Sequence, residues 1–265
     1  MDVGQGNMVL IQIPNSKTIV CDCNITEENK ESIMDYLKNH LGNNTIDIFI
    51  NTHRDADHMR GIKLLNKEFE INELWDGGVS GTTTNSDEYK EYMELRRDIG
   101  KEVESLKYWT FGDCTLRIMN GKNEYFNDAN DQSLVIKLEY GNNGVLLTGD
   151  TSYKSWKEFI LPNYSDKKIQ SEILLASHHG SISFFDNPSD ENYYFIKHLK
   201  KINPSMTIIS LGDNNNHPHE KAVKLYNKYS NGYGKKKGKL LTTKEHKTIT
   251  FEFNKDGSSS CKWGL

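Results

Sequence analysis

The chain has 265 residues, of which 35% are hydrophobic and 26% charged, and its formal net charge is −4 at pH 7. This length is enough for one large domain or two small ones. No apolar run approaches the ~18 residues of a membrane span, which excludes that class, and the negative charge does not indicate general nucleic-acid binding. No basic and apolar leader follows Met1, so the sequence predicts no secretory signal and a cytoplasmic location.

The first half of the sequence alternates between strand-like and helix-like patterns. The predicted elements are a hairpin of strands over 8–13 and 17–23, a helix from the cap-like residues 26–29 to about His40, a strand over 46–50 and a helix over 61–69. Residues 76–107 break this alternation, because a loop rich in glycine and threonine precedes a charged helix over 87–101. We interpret this segment as an insertion near the functional site or a lid over it.

The second half continues the alternation. It is predicted to contain strands over 114–119, 133–140, 145–148, 172–176, 206–211, 240–241 and 248–253, and helices over 152–160, 191–200 and 218–229. The run Gly141-Asn142-Asn143-Gly144 is typical of a hairpin turn. Because no linker or repeat divides the chain, we predict a single domain over residues 1–265. Its two β-rich halves favour an α/β fold of two packed sheets with helices on both outer faces.

The four cysteines match neither a zinc ribbon nor a disulfide framework. Cys21 and Cys23 are two residues apart in a strand-like run, which predicts that they share a face while Asp22 points the other way. We interpret them as buried free thiols rather than metal ligands, since an unpaired cysteine behaves as a small apolar residue.

A dense cluster of potential metal ligands directly follows the predicted strand over 46–50. Within six positions the sequence offers the side chains of His53, Asp55, Asp57 and His58. The end of a strand is held rigidly by its sheet, so ligands there are pre-positioned for an ion. The cluster makes a metal-dependent hydrolase the leading hypothesis.

Further carboxylates and imidazoles follow other predicted strands. They are Asp22, Asp150, the pair His178 and His179, and the pair His217 and His219. Each could be structural: Asp150 could cap the next helix, one paired histidine could be a core residue, and His217 could precede a helix that begins at Pro218. Together they favour one site at one edge of the fold, where a carboxylate can bridge two ions that activate water.

This order of motifs resembles the metallo-β-lactamase superfamily, whose signature is His-x-His-x-Asp-His followed by later Asp and His motifs. Within it, the chain resembles the metallo-hydrolase domain of ComEC competence proteins. The matching segments are Asp2-Val3-Gly4-Gln5-Gly6, Asn130-Asp131-Gln132-Ser133-Leu134, Leu147-Thr148-Gly149-Asp150, His178-His179-Gly180-Ser181 and His217-Pro218-His219. The resemblance implies an αββα sandwich of two mixed sheets flanked by helices.

The resemblance also implies roles for individual residues. The metal ligands would be His53, Asp55, Asp57 and His58, with Asp150 as the bridge and His178 or His179 completing the second site. His179, beside Gly180, matches more closely, and His178 stays open. Asp22 and Ser181 would support the ligands from behind.

Two departures from the superfamily pattern leave the metal open between Zn²⁺ and Mn²⁺. Asp55 stands where the signature has its second histidine, which makes the first site harder in the chemical sense. Asp131 is a candidate ligand where many relatives place a separate mid-chain histidine.

The function that the resemblance favours is a phosphodiesterase, specifically a nuclease that cleaves DNA with water activated by two divalent ions. One of His217 and His219 would contact the scissile phosphate or protonate the leaving oxygen, and Asp57 could orient the attacking hydroxide while touching a metal. The alternative is a hydrolase of a small ester, lactone, amide or nucleotide on the same fold. A non-enzymatic module with a structural metal is disfavoured, because nearly all ligand motifs are intact.

One basic run departs from the acidic balance of the chain. It contains Lys235, Lys236, Lys237 and Lys239 and is either a solvated loop or a surface that contacts nucleic-acid phosphates. The expected partner is DNA and no membrane contact is expected. Whether the protein acts alone or within a larger assembly is open.

Overall fold

Two β-sheets stack face to face, with helices against both outer faces. The computed structural model describes residues 1–122, 125–186, 194–213, 217–233 and 239–264. This arrangement confirms the αββα sandwich expected from the sequence. Over the described ranges, no helix has both the length and the apolar character needed to cross a membrane.

The first half of the chain builds a five-stranded sheet. In chain order it contains β1 (Val9–Gln12), β2 (Thr18–Cys21), β3 (Cys23–Asn24), α1 (Lys30–His40), β4 (Thr45–Ile50), α2 (Ala56–Met59), α3 (Ile62–Glu68), β5 (Glu70–Asp76), α4 (Asp87–Ile99) and β6 (Gly100–Glu102). The strand order is β1-β2-β4-β5-β6. Only the β1–β2 hairpin is antiparallel, and the remaining neighbours pair in parallel.

The second half builds a seven-stranded sheet and a separate hairpin. Its elements are β7 (Tyr108–Phe111), β8 (Cys114–Asn120), β9 (Val135–Tyr140), β10 (Asn143–Leu147), a π-helix (Ser155–Ile160), α5 (Leu161–Asn163), α6 (Asp166–Ile169), β11 (Ile173–Leu175), two 3₁₀ turns (Ser177–Gly180 and Ile182–Phe184), α7 (Lys197–Ile202), β12 (Met206–Ile209), α8 (Glu220–Tyr229), β13 (Leu240–Thr242), α9 (Thr243–His246), β14 (Ile249–Phe253) and β15 (Ser259–Trp263). The sheet order is β13-β12-β11-β10-β9-β8-β7, and β14 pairs with β15.

Alternation along the strands divides the apolar side chains between three layers. In β4, Ile48 and Ile50 enter the layer between the sheets, whereas Phe49 packs outward against α1 and α3. In β10, Leu147 faces the inner layer and Leu146 packs outward against the helices of the second half. This period of two requires both faces of each sheet to be covered, as the sandwich achieves.

The parallel strands direct the candidate site residues to one edge of the sandwich. β2 and β4 are parallel neighbours in the first sheet, and β10, β11 and β12 are parallel neighbours in the second. Polar segments follow the carboxyl end of each of these strands, at the edge where α/β sheets bind ligands.

The prediction that Cys21 and Cys23 share a face is wrong. Cys21 packs between the sheets, whereas Cys23 packs in the outer layer with α1 and α3. Asp22 between them has a left-handed backbone, with φ of 58°, which breaks the strand alternation. Cys21 and Cys23 are buried free thiols, as predicted, and Cys114 and Cys261 are also free.

Segment 76–107 is more than a surface loop. The predicted helix ends at Ile99 rather than at Lys101, and the chain then forms β6, which extends the first sheet beside β5. Tyr92 of α4 is fully buried in the outer layer. The segment therefore adds α4 and β6, which complete a β-α-β unit with β5, and its action as a lid stays a prediction.

Other boundaries also differ from the sequence prediction. The helix expected over 152–160 is largely a π-helix, and the helix expected from Pro218 begins two residues later, at Glu220, with His219 as its N-cap. The beginning of the helix predicted over 191–200 lies outside the described residues, and α7 runs from Lys197. Strands β5, β6, β7 and β15 were not predicted.

A buried histidine outside the site generates a prediction about stability in acid. The His198 imidazole is fully buried among the rings of Trp156, Phe184, Phe185 and Phe195. Burial lowers the pKa of His198 to about 3. Between that value and the ordinary histidine pKa of ~6.5, only the unfolded chain binds the proton, so stability falls as pH decreases through this window.

The buried His198 should cost the wild type ~1.4 kcal/mol of unfolding free energy for each pH unit below ~6.5. We therefore expect the decrease in stability from pH 7 to pH 5 to be about 2 kcal/mol smaller in His198→Leu than in the wild type. Urea unfolding at the two pH values measures it. The exposed-histidine variant His40→Leu should keep the wild-type pH dependence. An unchanged pH dependence in His198→Leu would contradict the prediction.

Candidate metal centre

Four of the predicted ligand positions and one member of the His178–His179 pair form two adjacent groups. In the part of the chain that the structure describes, His53, His58 and Asp150 form one group, and Asp57, His58 and His179 form the other. Within each group the potential ligand atoms all lie within 4.8 Å of one another. His58 belongs to both, so the groups are contiguous.

The Asp150 carboxylate lies between the histidines of the site. Its Oδ1 is 3.3 Å from His58 Nε2, and its Oδ2 is 3.7 Å from His53 Nε2 and 3.6 Å from His178 Nε2. On the other side of His58, Asp57 Oδ2 is 3.2 Å from His179 Nε2. Asp150 thus faces the first group and Asp57 the second. The two oxygens of Asp150 point to different histidines, Oδ1 to His58 and Oδ2 to His53 and His178.

Buried atoms without hydrogen-bond partners show that a cation fits here. The Nε2 atoms of His53, His58 and His179 and the Oδ1 atom of Asp150 are buried with no partner in hydrogen-bonding geometry among the described residues. Each unsatisfied buried polar group costs roughly 1–3 kcal/mol, and so many rarely converge on one point. Imidazole nitrogens and carboxylate oxygens together suit zinc, manganese or iron. The residues therefore fit divalent metal ions.

Hydrogen bonds behind the histidines direct their Nε2 atoms into the centre. His58 Nδ1 lies 2.8 Å from Asp22 Oδ2, and His179 Nδ1 lies 3.0 Å from the carbonyl oxygen of Ser210. Asp22 also accepts from the backbone N–H and the hydroxyl of Thr52, at 2.7 and 2.8 Å. An Nδ1–H that donates outward leaves Nε2 free as a metal ligand, the usual arrangement in histidine metal sites.

The carboxylates make the centre electrostatically favourable for positive charge. Burial disfavours a charged imidazole, but the carboxylates of Asp150, Asp22 and Asp57 outweigh it and raise the pKa of His58 well above its usual value. Burial would likewise raise the pKa of Asp150, yet the facing His58 and His53 hold it well below its usual range. A cation entering the site meets carboxylates that are already ionised.

A left-handed turn separates the two adjacent histidines. His178, His179 and Gly180 all have positive φ, of 48°, 51° and 82°. Left-handed backbone costs roughly 1–2 kcal/mol for a residue other than glycine, so surrounding contacts must hold it. The turn directs the His179 side chain to Asp57 and the His178 side chain to Asp150. His179, which resembles the superfamily motif more closely, is also the member of the pair that belongs to the second ligand group.

Three predicted positions differ from the arrangement expected. Asp131 lies outside both ligand groups of the described residues, because its Oδ1 accepts from Ser152 N and Ser155 Oγ, both at 3.0 Å, where the π-helix begins. Ser181 caps the 3₁₀ turn by accepting from Ser183 N. Asp55 is beside the first group, with Oδ2 3.8 Å from His53 Nε2.

The two late histidines have different surroundings. The His217 ring lies 4.9 Å from the His178 ring, and its Nδ1 is buried without a hydrogen-bond partner among the described residues. His219 instead caps α8, since its Nδ1 accepts from Lys221 N at 3.2 Å. Of these two histidines, His217 is therefore the one that the structure places against a histidine of the site.

Of the predicted basic run, the structure describes only Lys239. Lys235, Lys236 and Lys237 lie outside the described residues. Lys239 directly precedes β13, and β13 runs parallel to β12. Lys239 is therefore at the amino ends of these strands, the edge opposite the one that carries the ligands.

The N-terminal motif contacts the ligand loop, residues 52–58, which carries His53, Asp55, Asp57 and His58. Asn7 N donates to the Asp57 carbonyl oxygen, and the Gly6 carbonyl accepts from Ser210 Oγ at 2.6 Å. A side chain at Gly6 would overlap the same Asp57 oxygen, so this approach requires glycine. Sequence reasoning missed Thr52 and Ser210, although each stands beside a ligand or just after a site-directed strand.

Asp22 provides a prediction about metal affinity. We expect Asp22→Asn to weaken binding of Zn²⁺ or Mn²⁺ by about 10–100-fold, because His58 loses its anionic acceptor. Isothermal titration measures the change, and calorimetric unfolding of the metal-free protein monitors folding. Asp47→Asn, at a half-buried carboxylate bonded to Lys17 and Thr18, is the matched control. Equal affinity losses in both variants would argue against this role.

Sequence comparisons agree with the geometry. The sequence profile of the Metallo-beta-lactamase superfamily matches residues 1–183. ComE operon protein 3 of Bacillus subtilis is 25% identical over 223 residues, covering 81% of this chain and 26% of that protein. Recombination protein 2 of Haemophilus influenzae is 27% identical over 236 residues, covering 86% of this chain and 26% of that protein. The chain spans about a quarter of the length of these relatives.

Solved structures share the fold at low identity. CmlA, a diiron β-hydroxylase from Streptomyces venezuelae, superposes with a TM-score of 0.56 at 14% identity, over 91% of this chain and 52% of that chain. The metallo-β-lactamase fold protein YhfI from Bacillus subtilis superposes with a TM-score of 0.51 at 12% identity, over 91% and 90% of the two chains. Because the profile covers more than half of the sequence and the ligand groups are in place, the chain belongs to the metallo-β-lactamase superfamily, a superfamily of metal-dependent hydrolases.

Proposed function

We propose that this protein is a metal-dependent phosphodiesterase that cleaves DNA. The observation that carries the proposal is the pair of contiguous ligand groups, which share His58, with the Asp150 carboxylate facing both His53 and His58. His53 and Asp150 would hold one ion with Asp55 at its edge, and Asp57, His58 and His179 would hold the other. Two divalent ions at such a centre supply Lewis acidity to both oxygens of an in-line displacement at phosphorus.

The choice of DNA as the substrate rests on resemblance. The motif order resembles that of the ComEC competence proteins, and one relative carries the name Recombination protein 2. Since the chain spans about a quarter of these relatives, the activity of the whole relatives is not transferred. The ligand geometry itself supports hydrolysis, and the resemblance directs the proposal to a nucleic-acid phosphodiester.

Within this proposal, His217 is the residue that contacts the scissile phosphate. It lies beside His178, which faces Asp150, and its Nδ1 has no partner within the described residues. A phosphodiester bound at the two ligand groups would bring an anionic oxygen to this side of the site. A hydrogen bond from the imidazole would hold that oxygen in place during attack.

The central test compares substrates and metals. We expect the protein to cleave plasmid, linear or single-stranded DNA in Mn²⁺, Mg²⁺ or Zn²⁺, and Asp57→Ala and Asp150→Ala to lose about a thousandfold in rate, equivalent to ~4 kcal/mol of transition-state stabilisation. Gel electrophoresis of the products measures cleavage. Asp113→Asn, at an exposed carboxylate paired with Lys255, should retain the wild-type rate.

A wild-type protein that hydrolyses esters or lactones but none of the DNA substrates would overturn the nuclease proposal in favour of the small-molecule alternative. Full activity in Asp150→Ala would overturn the two-metal centre itself.

A second prediction separates the two late histidines. His217→Asn should lower kcat/KM for DNA by about 10²-fold, because the phosphate loses a positioned donor. His219→Asn should change it less than about threefold, since asparagine is a favourable N-cap and preserves the beginning of α8. Steady-state kinetics on a fluorescent oligonucleotide measures both, and the opposite ranking would contradict the assignment.

A further inference from the structure

The two oxygens of Asp55 have different surroundings. Oδ1 accepts two hydrogen bonds, from the backbone N–H and the hydroxyl of Thr82, both at 2.9 Å. Oδ2 is turned toward the metal centre, 3.8 Å from His53 Nε2. Thr82 belongs to the loop that joins β5 to α4, far from Asp55 in sequence. This loop, residues 77–86, is called the β5–α4 loop below.

We infer that Thr82 is a positioning residue for the first metal group, which fixes the Asp55 carboxylate so that Oδ2 alone is presented to the ion. This inference rests on the proposed metal-binding function and extends it to the loop that sets its coordination. A free carboxylate can coordinate through one oxygen or two. Occupying Oδ1 with two donors leaves a single coordinating atom, the same number that an imidazole supplies.

Close backbone packing holds Thr82 against the ligand loop. A side chain on the preceding Gly81 would overlap the carbonyl oxygen of Arg54, the residue before Asp55. Only glycine allows the two backbones to approach this closely. The contact explains why a loop from another part of the first sheet reaches a residue between His53 and Asp57.

A buried network of ion pairs also joins the ligand loop to the beginning of the β5–α4 loop. Arg54 donates to Asp76 Oδ2 from Nε at 3.0 Å and from Nη2 at 2.8 Å, and Tyr92 and Arg96 donate to the same oxygen. Asp76 Oδ1 accepts from Gly78 N, at the beginning of the β5–α4 loop. Because Asp76 occupies the Arg54 guanidinium, that guanidinium is kept from pairing with the neighbouring Asp55.

The test measures metal affinity at each group separately, by isothermal titration with Mn²⁺. A His179→Ala background removes a ligand of the second group and reports the first, and a His53→Ala background does the reverse. We expect Thr82→Val to weaken binding about tenfold in the His179→Ala background, because supporting residues of metal ligands contribute at least that much. In the His53→Ala background the change should stay below about twofold.

Three further variants separate positioning from general stability. Thr82→Ser keeps the hydroxyl, so in the His179→Ala background it should leave the Mn²⁺ affinity as high as with Thr82. Thr83→Val, at the adjacent exposed threonine, should also leave this affinity unchanged. Gly81→Ala should repeat the Thr82→Val loss, because it moves the loop away from Asp55 by a different route. Hydrogen exchange over residues 52–60 of the metal-free protein should be faster in Thr82→Val and Gly81→Ala, a readout independent of bound metal.

Equal affinities for Thr82→Val and wild type in the His179→Ala background would overturn the inference. A loss of affinity in Thr82→Ser as large as that in Thr82→Val would also overturn it. The same holds if Thr82→Val weakens Mn²⁺ binding equally in the His179→Ala and His53→Ala backgrounds. Failure of the proposed nuclease function is distinguishable, because a wild type that binds two ions without cleaving DNA would end that proposal while the titrations still decide the role of Thr82.

Discussion

The ligand loop depends on one buried carboxylate, Asp22. Its left-handed backbone turns the side chain toward the end of the neighbouring strand β4, where it accepts hydrogen bonds from Thr52 and from His58. Those bonds fix the loop at its first residue and at its last ligand. His58 contributes to both ligand groups, so the orientation of its ring determines whether the groups are contiguous.

A second carboxylate performs the same task from the other side. The sheet order places β4 between β2 and β5, so the ligand loop that follows β4 has Asp22 on one flank and Asp76 on the other. Asp22 holds Thr52 and His58, and Asp76 holds Arg54. These hydrogen bonds hold the short loop from both of the strands beside β4. The parallel sheet provides that support because three consecutive strands end at one edge.

The fold and the ligand edge were predictable because both follow from local patterns. Apolar alternation gives the strands, and a polar cluster after each strand places His53, Asp150 and His179 at a common edge. The sequence could not show that Asp131 and His219 accept hydrogen bonds from the backbone N–H groups of Ser152 and Lys221, because capping residues and site residues are of the same types.

Long-range contacts account for what the sequence could not indicate. The left-handed backbone at Asp22 accompanies its hydrogen bonds to the distant residues Thr52 and His58, and the local sequence Cys21-Asp22-Cys23 does not predict it. The role of segment 76–107 depends on β6 pairing with β5 and on Tyr92 reaching Asp76. The direction of β13, which places Lys239 at the amino ends of the strands, likewise depends on pairing with the distant strand β12.

The β14–β15 hairpin has a consequence for how the protein is made. Phe251 and Phe253 cover Ile173 and Ile208, which belong to strands β11 and β12 synthesised earlier. As the chain leaves the ribosome, the inner face of that part of the sheet stays exposed until the hairpin follows. An uncovered apolar sheet face invites association with other chains. The last strands of the chain therefore complete the cover of a sheet face whose own strands are synthesised earlier.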